Sequence, residues 1–381
     1  MFNTLNRHHT RSAKWENGRG IFKDLDYLMF SVADSDYPTA PEIIKRLKDR
    51  VEHGAYGYTM TDDEYFKAIV DWFQRRYQTK IDSSWILPSS KVLALLSTAI
   101  DVYSKPKDKI LIQTPVYHVF YPLINYHKRT LITNPLLYEN GYYTMDFNDL
   151  EARFKQGVKV MVLCNPHNPV GRVWSYQELE RLVDLCKTYD VLILSDEIHA
   201  DVIMTPYQFT SINQFTERYH KLMVIHAPSK TFNIAGLHSA YAVVPSKLLR
   251  EKLKSTLIKR FMFGSNTFAI EALITAYSSC DNWVDAQNKH VQENYQTLKA
   301  FLSKYYSKSV LLPLEGTYLA WLDLRAYQSS SKKLAEIFKN VGIVLSEGLT
   351  FGAQCDGFMR MNLAVSKEQL EEGLKRFRKA L

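Results

Sequence analysis

Five short apolar segments between residues 109 and 245 constrain the fold of this chain most. They are KILIQTP (109–115), VKVMVLCNP (158–166), YDVLILSDE (189–197), KLMVIHAPS (221–229) and SAYAVVP (239–245). Each has a short apolar run, which in the first four consists mainly of Val, Ile, Leu and Met. Helical patterns such as SYQELERLVDLCKTY (175–189) lie between some of them. Continuous apolar strands that alternate with helices predict a sheet covered on both faces, and therefore an α/β fold with a mostly parallel sheet.

A different pattern begins near residue 284. The segment VDAQNKHVQENYQTLKAFLSKYY (284–306) predicts a long helix, followed by the strand-like stretches EGTYLAWLDL and FMRMNLAV and a final amphipathic helix. A chain of 381 residues is long enough for two domains. We therefore expect a large domain over 49–284 and a smaller α+β domain over 285–381. Residues 1–48 do not continue the strand–helix alternation, and we expect them to pack with the small domain.

Composition is that of an ordinary soluble protein. Hydrophobic residues make up 46% of the chain and charged residues 23%, and no apolar run approaches the roughly 20 residues that span a bilayer. The N-terminal stretch MFNTLNRHHTRSAKWENG is polar and lacks the apolar segment of a signal peptide. The four cysteines have no metal-ligand spacing, so we expect free thiols in a reducing cytoplasm, with no metal site and no membrane association.

The net charge of +8 is dispersed along the chain. Its densest cluster, LEEGLKRFRKAL, is typical of the solvated face of a C-terminal helix. A nucleic-acid site needs a concentrated basic patch or stripe, so we expect no nucleic-acid partner. A mild positive field also suits small anionic ligands.

Polar side chains follow four of the apolar segments, at the points where the predicted strands end. Tyr117 follows the first, Asn168 lies in the NPHNPVG turn after the second, Asp196 ends the third, and Ser229 and Lys230 end the fourth. Ligands bind at the carboxyl ends of the strands in an open parallel sheet. We therefore expect these side chains to converge on one edge.

Each of these residues also has a purely structural interpretation. Asn-Pro segments form turns, Asp196 could cap the next helix, Lys230 could extend its amine to solvent, and Tyr117 could be a packing residue. The combination favours a site instead. A carboxylate that ends a strand as apolar as VLILS is costly to bury unless a cation meets it. A lysine in an apolar pocket loses its proton more readily and becomes a nucleophile.

One cofactor accounts for the whole set. Pyridoxal phosphate needs a lysine for its aldehyde carbon and a carboxylate to keep its ring nitrogen protonated. Asn168 can serve its phenolic oxygen and Tyr117 can stack on its ring. Its phosphate needs a helix N-terminus, where free N–H groups meet an anion. LPSSKVLALLSTAIDVY fits this need, because it places the amides of Lys91 and Val92 in the first turn of an apolar helix.

With these residues in place, the chain resembles a known superfamily over essentially its whole length, the fold-type I pyridoxal-phosphate enzymes, or aminotransferase superfamily. The matching motifs are NPHNPVGRVW, SDEIHAD, APSKTFNIAGL and GFMRMNLA. The order Asn168, Asp196, Lys230, Arg360, with separations of 28, 34 and 130 residues, is similar to that of the superfamily. The resemblance implies that Lys230 carries the cofactor and Asp196 pairs with its ring nitrogen. It also implies that Arg360 binds the substrate carboxylate, which suits a planar guanidinium.

Within the superfamily, the chain is most similar to the MalY/PatB type of cystathionine β-lyases, or C–S lyases. The motifs are NRHHTRSAKWE, VADSDYPTAPEI (32–43), HGAYGYT (53–59) and SDEIHAD. The resemblance implies a homodimer with shared active sites, in which Tyr58 reaches the cofactor phosphate of the neighbouring subunit. It implies catalytic roles for Tyr117 and Tyr58 beside Lys230. It also places Ser229 and His199 at the cofactor and Ala33 at the substrate.

The sequence departs from related members at several of these positions. Related chains often read WVADMDF where this one reads SVADSDY, so Ser31 and Ser35 replace larger residues near the expected substrate pocket. Ile198 and His199 stand where many aminotransferases carry a tyrosine shortly after the cofactor aspartate. His238 stands where many carry a phosphate-binding arginine. These changes bear on phosphate affinity and on substrate identity.

The motifs support two reactions that share their first steps. If the substrate has a thiolate leaving group on Cβ, elimination gives a thiol, pyruvate and ammonia. If it has none, the outcome is transamination of an aromatic or aliphatic amino acid. The similarity to C–S lyases favours the first. A further role as the partner of a regulatory protein remains open, since some lyases of this type bind a transcription factor.

Overall fold

The computed structural model describes residues 2–22 and 26–381. The α-helices are α1 Ala13–Arg19, α2 Pro41–Glu52, α3 Asp63–Tyr77, α4 Val92–Tyr103, α5 Phe120–Tyr126, α6 Phe147–Lys155, α7 Tyr176–Thr188, α8 Lys247–Lys259, α9 Thr267–Ser279, α10 Asp281–Tyr305, α11 Ser331–Asn340 and α12 Lys367–Phe377. Short 3₁₀ helices span Ser83–Trp85, Ile212–Phe215, Ala235–Leu237, Gly348–Thr350 and Ala353–Cys355.

The β-strands form one large sheet, one smaller sheet and two short pairs. They are β1 Leu28–Met29, β2 Ile86–Ser89, β3 Lys109–Thr114, β4 Thr130–Pro135, β5 Leu137–Glu139, β6 Tyr142–Thr144, β7 Val158–Cys164, β8 Leu192–Asp196, β9 Leu222–His226, β10 Ala240–Val243, β11 Val310–Leu311, β12 Leu319–Asp323, β13 Ile343–Val344, β14 Ser346–Glu347 and β15 Phe358–Asn362.

The large sheet has seven strands in the order β2-β10-β9-β8-β7-β3-β4. Strands β9, β8, β7, β3 and β4 run parallel to one another, whereas β10 is antiparallel to both β2 and β9. The predicted α/β fold with a mostly parallel sheet is therefore confirmed. All five apolar segments are strands of this sheet. Its two remaining strands, β2 and β4, lie in segments for which the sequence analysis predicted none.

Both faces of the large sheet are covered, which explains the continuous apolar character of its strands. Along β7, Val160 and Val162 pack into one hydrophobic cluster, while Met161 and Leu163 pack into another on the opposite face. Side chains of a strand alternate between faces, so each face needs its own apolar set. Because each face has to pack against its own cluster, the register of the strands is fixed. The register in turn sets where the carboxyl ends of the strands lie.

Helix α7 shows how the local sequence builds the connections between parallel strands. It starts with a capping box, in which the Ser175 hydroxyl accepts from the Glu178 N–H (3.2 Å) and the Glu178 carboxylate accepts from the Ser175 N–H (2.9 Å). Its buried residues, Leu179, Leu182, Val183 and Cys186, follow the helical spacing of one apolar stripe. This apolar stripe faces the sheet, and the helix connects β7 to β8.

The small sheet has the strand order β11-β12-β15-β14 and is antiparallel throughout. The N-terminal strand β1 pairs with β13, so residues 28–29 lie beside the C-terminal part of the chain. The predicted domain boundaries stay a prediction.

Across residues 2–22 and 26–381, no helix combines the length and the apolarity that crossing a bilayer requires. The four cysteines, Cys164, Cys186, Cys280 and Cys355, are free and buried.

Candidate active site

A cavity of ≈ 430 Å³ opens at the carboxyl ends of the parallel strands, between the large sheet and β15 of the small sheet. The register explains its position, because Cys164 of β7 is opposite Asp196 of β8, and Asp196 is opposite Ile225 of β9. The chain segments that follow these three residues therefore start at one edge. Ten of the eleven residues predicted for the site line the cavity: Ala33, Lys91, Val92, Tyr117, Asn168, Asp196, His199, Ser229, Lys230 and Arg360.

Lys230 lies in a turn that follows β9. Hydrogen bonds from Phe232 N to Pro228 O (2.9 Å) and from Ile234 N to Ser229 O (3.2 Å) form this turn. The Lys230 amine donates to the backbone oxygen of Ala33 (2.7 Å). Burial lowers the pKa of Lys230, and this increases the fraction of its amine that is neutral and nucleophilic.

Asp196 is the last residue of β8 and its side chain is buried. Its Oδ1 accepts a hydrogen bond from Ile198 N (3.2 Å). Burial raises the pKa of Asp196 to about 6, although this hydrogen bond and the charge of Lys230 both act in the opposite direction. A carboxylate held in this way is stabilised by any ligand that brings it a positively charged N–H group.

Arg360 enters the cavity from β15 and is buried. Its Nη1 donates to Asn168 Oδ1 (2.9 Å), and its Nη2 donates to Ser31 O (2.8 Å) and Ser346 Oγ (3.2 Å). The guanidinium lies over the Phe351 ring at 4.6 Å. Burial lowers the pKa of Arg360 to about 10, so the group remains a cation at neutral pH.

These contacts leave part of the guanidinium available. An arginine side chain has five N–H donors, and the contacts described for Arg360 use three of them. Its Nε is buried without a hydrogen-bond partner among the described residues. Because Asn168 Oδ1 accepts from Arg360, the Asn168 Nδ2 group is left as a donor to the cavity.

The N-terminus of α4 forms another wall of the cavity. Lys91 is the N-cap residue in an extended conformation with no side-chain capping bond, and the helix begins at Val92. The first backbone N–H groups of a helix have no intrahelical acceptor. In the antiparallel pair of β2 and β10, Ser89 is opposite Ala240, so Ser90 and Ser239 come next to each other at the cavity. The Ser239 hydroxyl is buried and without a partner within the described residues, which gives this wall a further donor.

Tyr117 and His199 complete the part of the site that was predicted. Tyr117 follows β3 and makes an edge contact with Phe120 at 5.6 Å. Burial raises the pKa of Tyr117, and the charge of Asp196 raises it further. His199 is buried, packs edge-on to Tyr318 at 5.7 Å, and has an unpartnered Nδ1 among the described atoms. Burial, with the charges of Lys230 and Arg360, lowers the pKa of His199 to about 3, so its ring is neutral.

Tyr58 is the predicted residue that does not line this cavity. It lies in the segment between α2 and α3, and its relative exposure is 111%. Within the described residues, Tyr58 is not part of the wall of the cavity around Lys230. Any role at an active site therefore depends on a second subunit.

The cavity also contains residues that sequence reasoning did not include among the site residues. His118, Ser239 and Ser346 line it. His118 directly follows Tyr117, so its position just after β3 could have placed it at the site from the sequence. Ser239 and Ser346 become neighbours of the site only through the pairings β2–β10 and β14–β15, and the sequence alone contained no signal for either.

Comparison with known proteins agrees with this geometry. The chain matches the family model described as aminotransferase class I and II over residues 26–377, and it belongs to that family. The cystathionine beta-lyase PatB of Bacillus subtilis (strain 168) is 36% identical over 375 residues, which are 98% of this chain and 97% of PatB. Protein MalY of Escherichia coli (strain K12) is 31% identical over 374 residues, with 97% and 95% covered.

A solved structure shows the same architecture. Cystalysin from Treponema denticola, whose crystal structure contains a pyridoxal 5'-phosphate cofactor, matches with a TM-score of 0.97 and 33% identity, covering 100% of this chain and 98% of cystalysin. The resemblance inferred from the motifs is confirmed.

Proposed function

We propose that this chain is a pyridoxal-phosphate-dependent C–S β-lyase. It cleaves cystathionine- or cysteine-type amino acids by α,β-elimination to a thiol, pyruvate and ammonia. The observation that carries the proposal is the convergence of an amine, a carboxylate and a guanidinium, those of Lys230, Asp196 and Arg360, on one cavity. The activity in the name of PatB and the cofactor of cystalysin support the choice of reaction and of cofactor.

The donors and acceptors of the cavity fit pyridoxal phosphate. The amine of Lys230, whose pKa burial lowers, suits its aldehyde carbon, and the carboxylate of Asp196 suits a protonated ring nitrogen. The free Nδ2 of Asn168 suits the phenolic oxygen. The first amides of α4 suit the phosphate, with the unpartnered Ser239 hydroxyl beside them.

Each polar group then has a defined task in the reaction. When bound at Lys230, pyridoxal phosphate supplies a ring that takes up the electrons released at the substrate Cα. Asp196 holds a proton at the ring nitrogen, because a buried carboxylate is more stable when a cation faces it. Once its amine is free, Lys230 would accept the Cα proton at Nζ, and the pKa lowered by burial favours the unprotonated amine that this role needs.

Arg360 orients the substrate. Its remaining N–H donors, including the buried Nε, bind the substrate carboxylate, and charge-assisted bonds of this type are the stronger ones. Ser31 and Asn168 hold the guanidinium from two sides. The arginine is therefore preorganised before substrate arrives.

Two measurements test the proposal. The purified protein is expected to absorb at the violet edge of the visible spectrum, and cystathionine is expected to yield pyruvate and a free thiol with no keto acid added. Lys230→Ala is the control, because it removes the amine and is expected to keep the fold. If product appears only after a keto-acid acceptor is supplied, the enzyme is an aminotransferase and the lyase assignment is wrong.

The same proposal includes a homodimer with shared active sites. Apolar side chains are exposed around Tyr58: Val51 at 54%, Tyr56 at 53% and Met60 at 83%. Clustered exposed apolar residues are typical of interaction surfaces. An interface here would bring Tyr58 to the phosphate of the neighbouring subunit, where its hydroxyl can donate.

Mixing two inactive variants tests this arrangement. Tyr58→Phe and Lys230→Ala homodimers are each expected to be impaired. In a shared-site heterodimer, one site has both lesions and the other has neither, so part of the activity returns. If subunit exchange is demonstrated by mass and activity does not return, the shared-site arrangement is excluded.

The cytoplasm is the location we propose. Free, buried thiols at Cys164, Cys186, Cys280 and Cys355 are the state expected in a reducing compartment. Fractionation of cells with an antibody to the chain tests it, and recovery outside the cytoplasmic fraction would contradict it.

A further inference from the structure

A buried hydrogen-bond network lies directly behind the turn that carries Lys230. Its centre is the carboxylate of Asp201, which is 3% exposed. Asp201 Oδ2 accepts from the Thr231 hydroxyl (2.8 Å), and Oδ1 accepts from Trp72 Nε1 (3.0 Å) and the Tyr77 hydroxyl (2.5 Å). Three neutral donors thus converge on one buried carboxylate and satisfy both of its oxygens.

The network continues away from the cavity through an imidazole and two further phenols. His226 Nε2 lies 2.9 Å from the Tyr77 hydroxyl, and His226 Nδ1 lies 3.3 Å from the Tyr277 hydroxyl. The Tyr277 and Tyr241 hydroxyls are 3.1 Å apart. Asp201, His226 and the three tyrosines are all buried.

The protonation states follow from burial. It lowers the pKa of His226 to about 4, and it raises the pKa values of Tyr77, Tyr241 and Tyr277 well above their ordinary value. The phenols are therefore protonated and the imidazole is neutral at neutral pH. Every hydroxyl has one proton to donate, and a neutral imidazole has one N–H.

These protonation states fix which group donates and which accepts in each hydrogen bond of the network. The proton of Tyr77 is committed to Asp201, so the Tyr77 oxygen accepts from His226 Nε2–H. His226 Nδ1 is then an acceptor, and Tyr277 donates to it. Tyr241 in turn donates to the Tyr277 oxygen. All donors are oriented toward Asp201, and Asp201 is the single acceptor that ends the chain.

The bond between Asp201 and Thr231 joins two turns of the active site. Thr231 follows Lys230 in the turn after β9. Asp201 lies in the turn after β8, where Val202 N donates to His199 O (3.0 Å), five residues beyond Asp196. Lys230 faces the cavity, whereas its neighbour Thr231 is fully buried behind it. The position of Lys230 relative to Asp196 and His199 thus depends on a contact outside the cavity.

We propose that Asp201 is a positioning residue for Lys230, and that it acts through the Thr231 hydroxyl with the Trp72–Tyr77–His226 chain holding its carboxylate in place. The inference rests on the proposed function in that Lys230 is the cofactor lysine. It goes beyond that function because neither Asp201 nor Thr231 lines the cavity in which the cofactor and substrate would bind. A misplacement of about 1 Å at a reacting group lowers rates by about 10²-fold, so loss of this anchor has a measurable effect.

The test removes one hydroxyl and leaves the shape of the side chain. Thr231→Val deletes the bond to Asp201, and Thr231→Ser keeps it. We expect Thr231→Val to lower kcat by about 10- to 100-fold with KM changed less than about threefold, and Thr231→Ser to stay close to wild type. The matched control is Thr216→Val, which makes the same change at a buried threonine whose hydroxyl donates to Asn213 O (2.8 Å).

A second readout does not depend on turnover. Pyridoxal phosphate is added to the cofactor-free protein, the product is reduced with borohydride at set times, and the modified Lys230 peptide is measured by mass spectrometry. Thr231→Val is expected to slow the modification at least fivefold. If wild-type protein modifies Lys230 but transaminates rather than forming pyruvate, the proposed lyase function fails while the positioning role is still measured by this rate.

Three results would overturn the inference. The first is a Thr231→Val protein with wild-type kcat and wild-type modification rate. The second is a Thr231→Ser protein as impaired as Thr231→Val, which would assign the effect to the methyl group. If Thr231→Val does not fold, Tyr77→Phe, which removes one donor from Asp201, is expected to show a smaller loss in the same direction. The third result is that neither Thr231→Val nor Tyr77→Phe folds, because the network would then have a purely structural role.

Discussion

Replacing Arg360 with lysine is expected to weaken substrate binding much more than it weakens folding. The guanidinium makes hydrogen bonds to Asn168 Oδ1, Ser31 O and Ser346 Oγ, and its Nε is buried without a partner among the described residues. A lysine ammonium keeps the positive charge, but it has three donors on one atom and lacks the planar fork. The ammonium can therefore keep some of the contacts to the protein or some of the contacts to the substrate, but it cannot keep both sets.

The magnitude follows from the hydrogen bonds to substrate that a lysine cannot make. Two donors of Arg360 are free for a substrate carboxylate, and a hydrogen bond to a charged group is worth about 1.5–3 kcal/mol. If lysine retains one of the two, the interaction becomes about 10- to 150-fold weaker. The carboxylate is held in both ground state and transition state, so most of the effect is expected in KM.

The assay is pyruvate release from cystathionine at increasing substrate concentration, with thermal unfolding of each protein measured in parallel. Arg129→Lys is the control, because Arg129 is also buried and makes several hydrogen bonds, among them to Ser104 Oγ (2.9 Å), yet does not line the cavity. It is expected to reduce stability and leave KM unchanged. An Arg360→Lys enzyme with wild-type KM would place the carboxylate-binding group elsewhere.

Three further outcomes are expected. Lys230→Ala removes the violet absorbance and the turnover, and full activity in this variant would exclude the mechanism. Asp196→Asn lowers kcat by roughly 10²–10⁴-fold and releases cofactor on dialysis, whereas near-normal kinetics would leave Asp196 with only its bond to Ile198. Lys14→Met removes the buried ammonium from Asp36 (2.8 Å) and leaves Arg7 (3.1 Å) as its remaining cation, so it lowers the free energy of unfolding by up to about 3 kcal/mol. Burial acts to raise the pKa of Asp36, but the charge and hydrogen bond of Lys14 hold it below its ordinary value. The stability from Asp36 is therefore complete above about pH 3.9 and lost as the pH falls through the lower folded value. Removing Lys14 raises the folded pKa of Asp36, so urea unfolding across the acid range is expected to show a smaller or reversed loss of stability in Lys14→Met than in wild type, and an unchanged profile would contradict the role given to Lys14.

The convergence of the site could be predicted from the sequence because it follows from local patterns and one rule of topology. The segments around Asn168, Asp196 and Lys230 end consecutive parallel strands, and parallel neighbours present their carboxyl ends at one edge. The register of Cys164 with Asp196 shows this directly. Apolar runs alternating with helices were sufficient to establish that order.

The rest of the cavity depends on contacts between residues far apart in sequence. Ser31 O and Ala33 O meet Arg360 and Lys230 across separations of 329 and 197 residues, and backbone oxygens have no signature in the sequence. The antiparallel direction of β10 also had no signal, since a fully buried strand is apolar in either direction. That direction is what brings Ser239 beside the N-terminus of α4.

The positions of Lys230 and Asp196 argue against a structural ion pair. If the lysine served only to neutralise the carboxylate, its amine would be expected on an Asp196 oxygen. It donates instead to Ala33 O, and Asp196 accepts from Ile198 N. Burial, the largest influence on both groups, lowers the pKa of the lysine and raises that of the aspartate. Each group is thus driven toward its neutral form with the cavity open between them. A ligand with a basic ring nitrogen at one end and an aldehyde at the other relieves both groups at once.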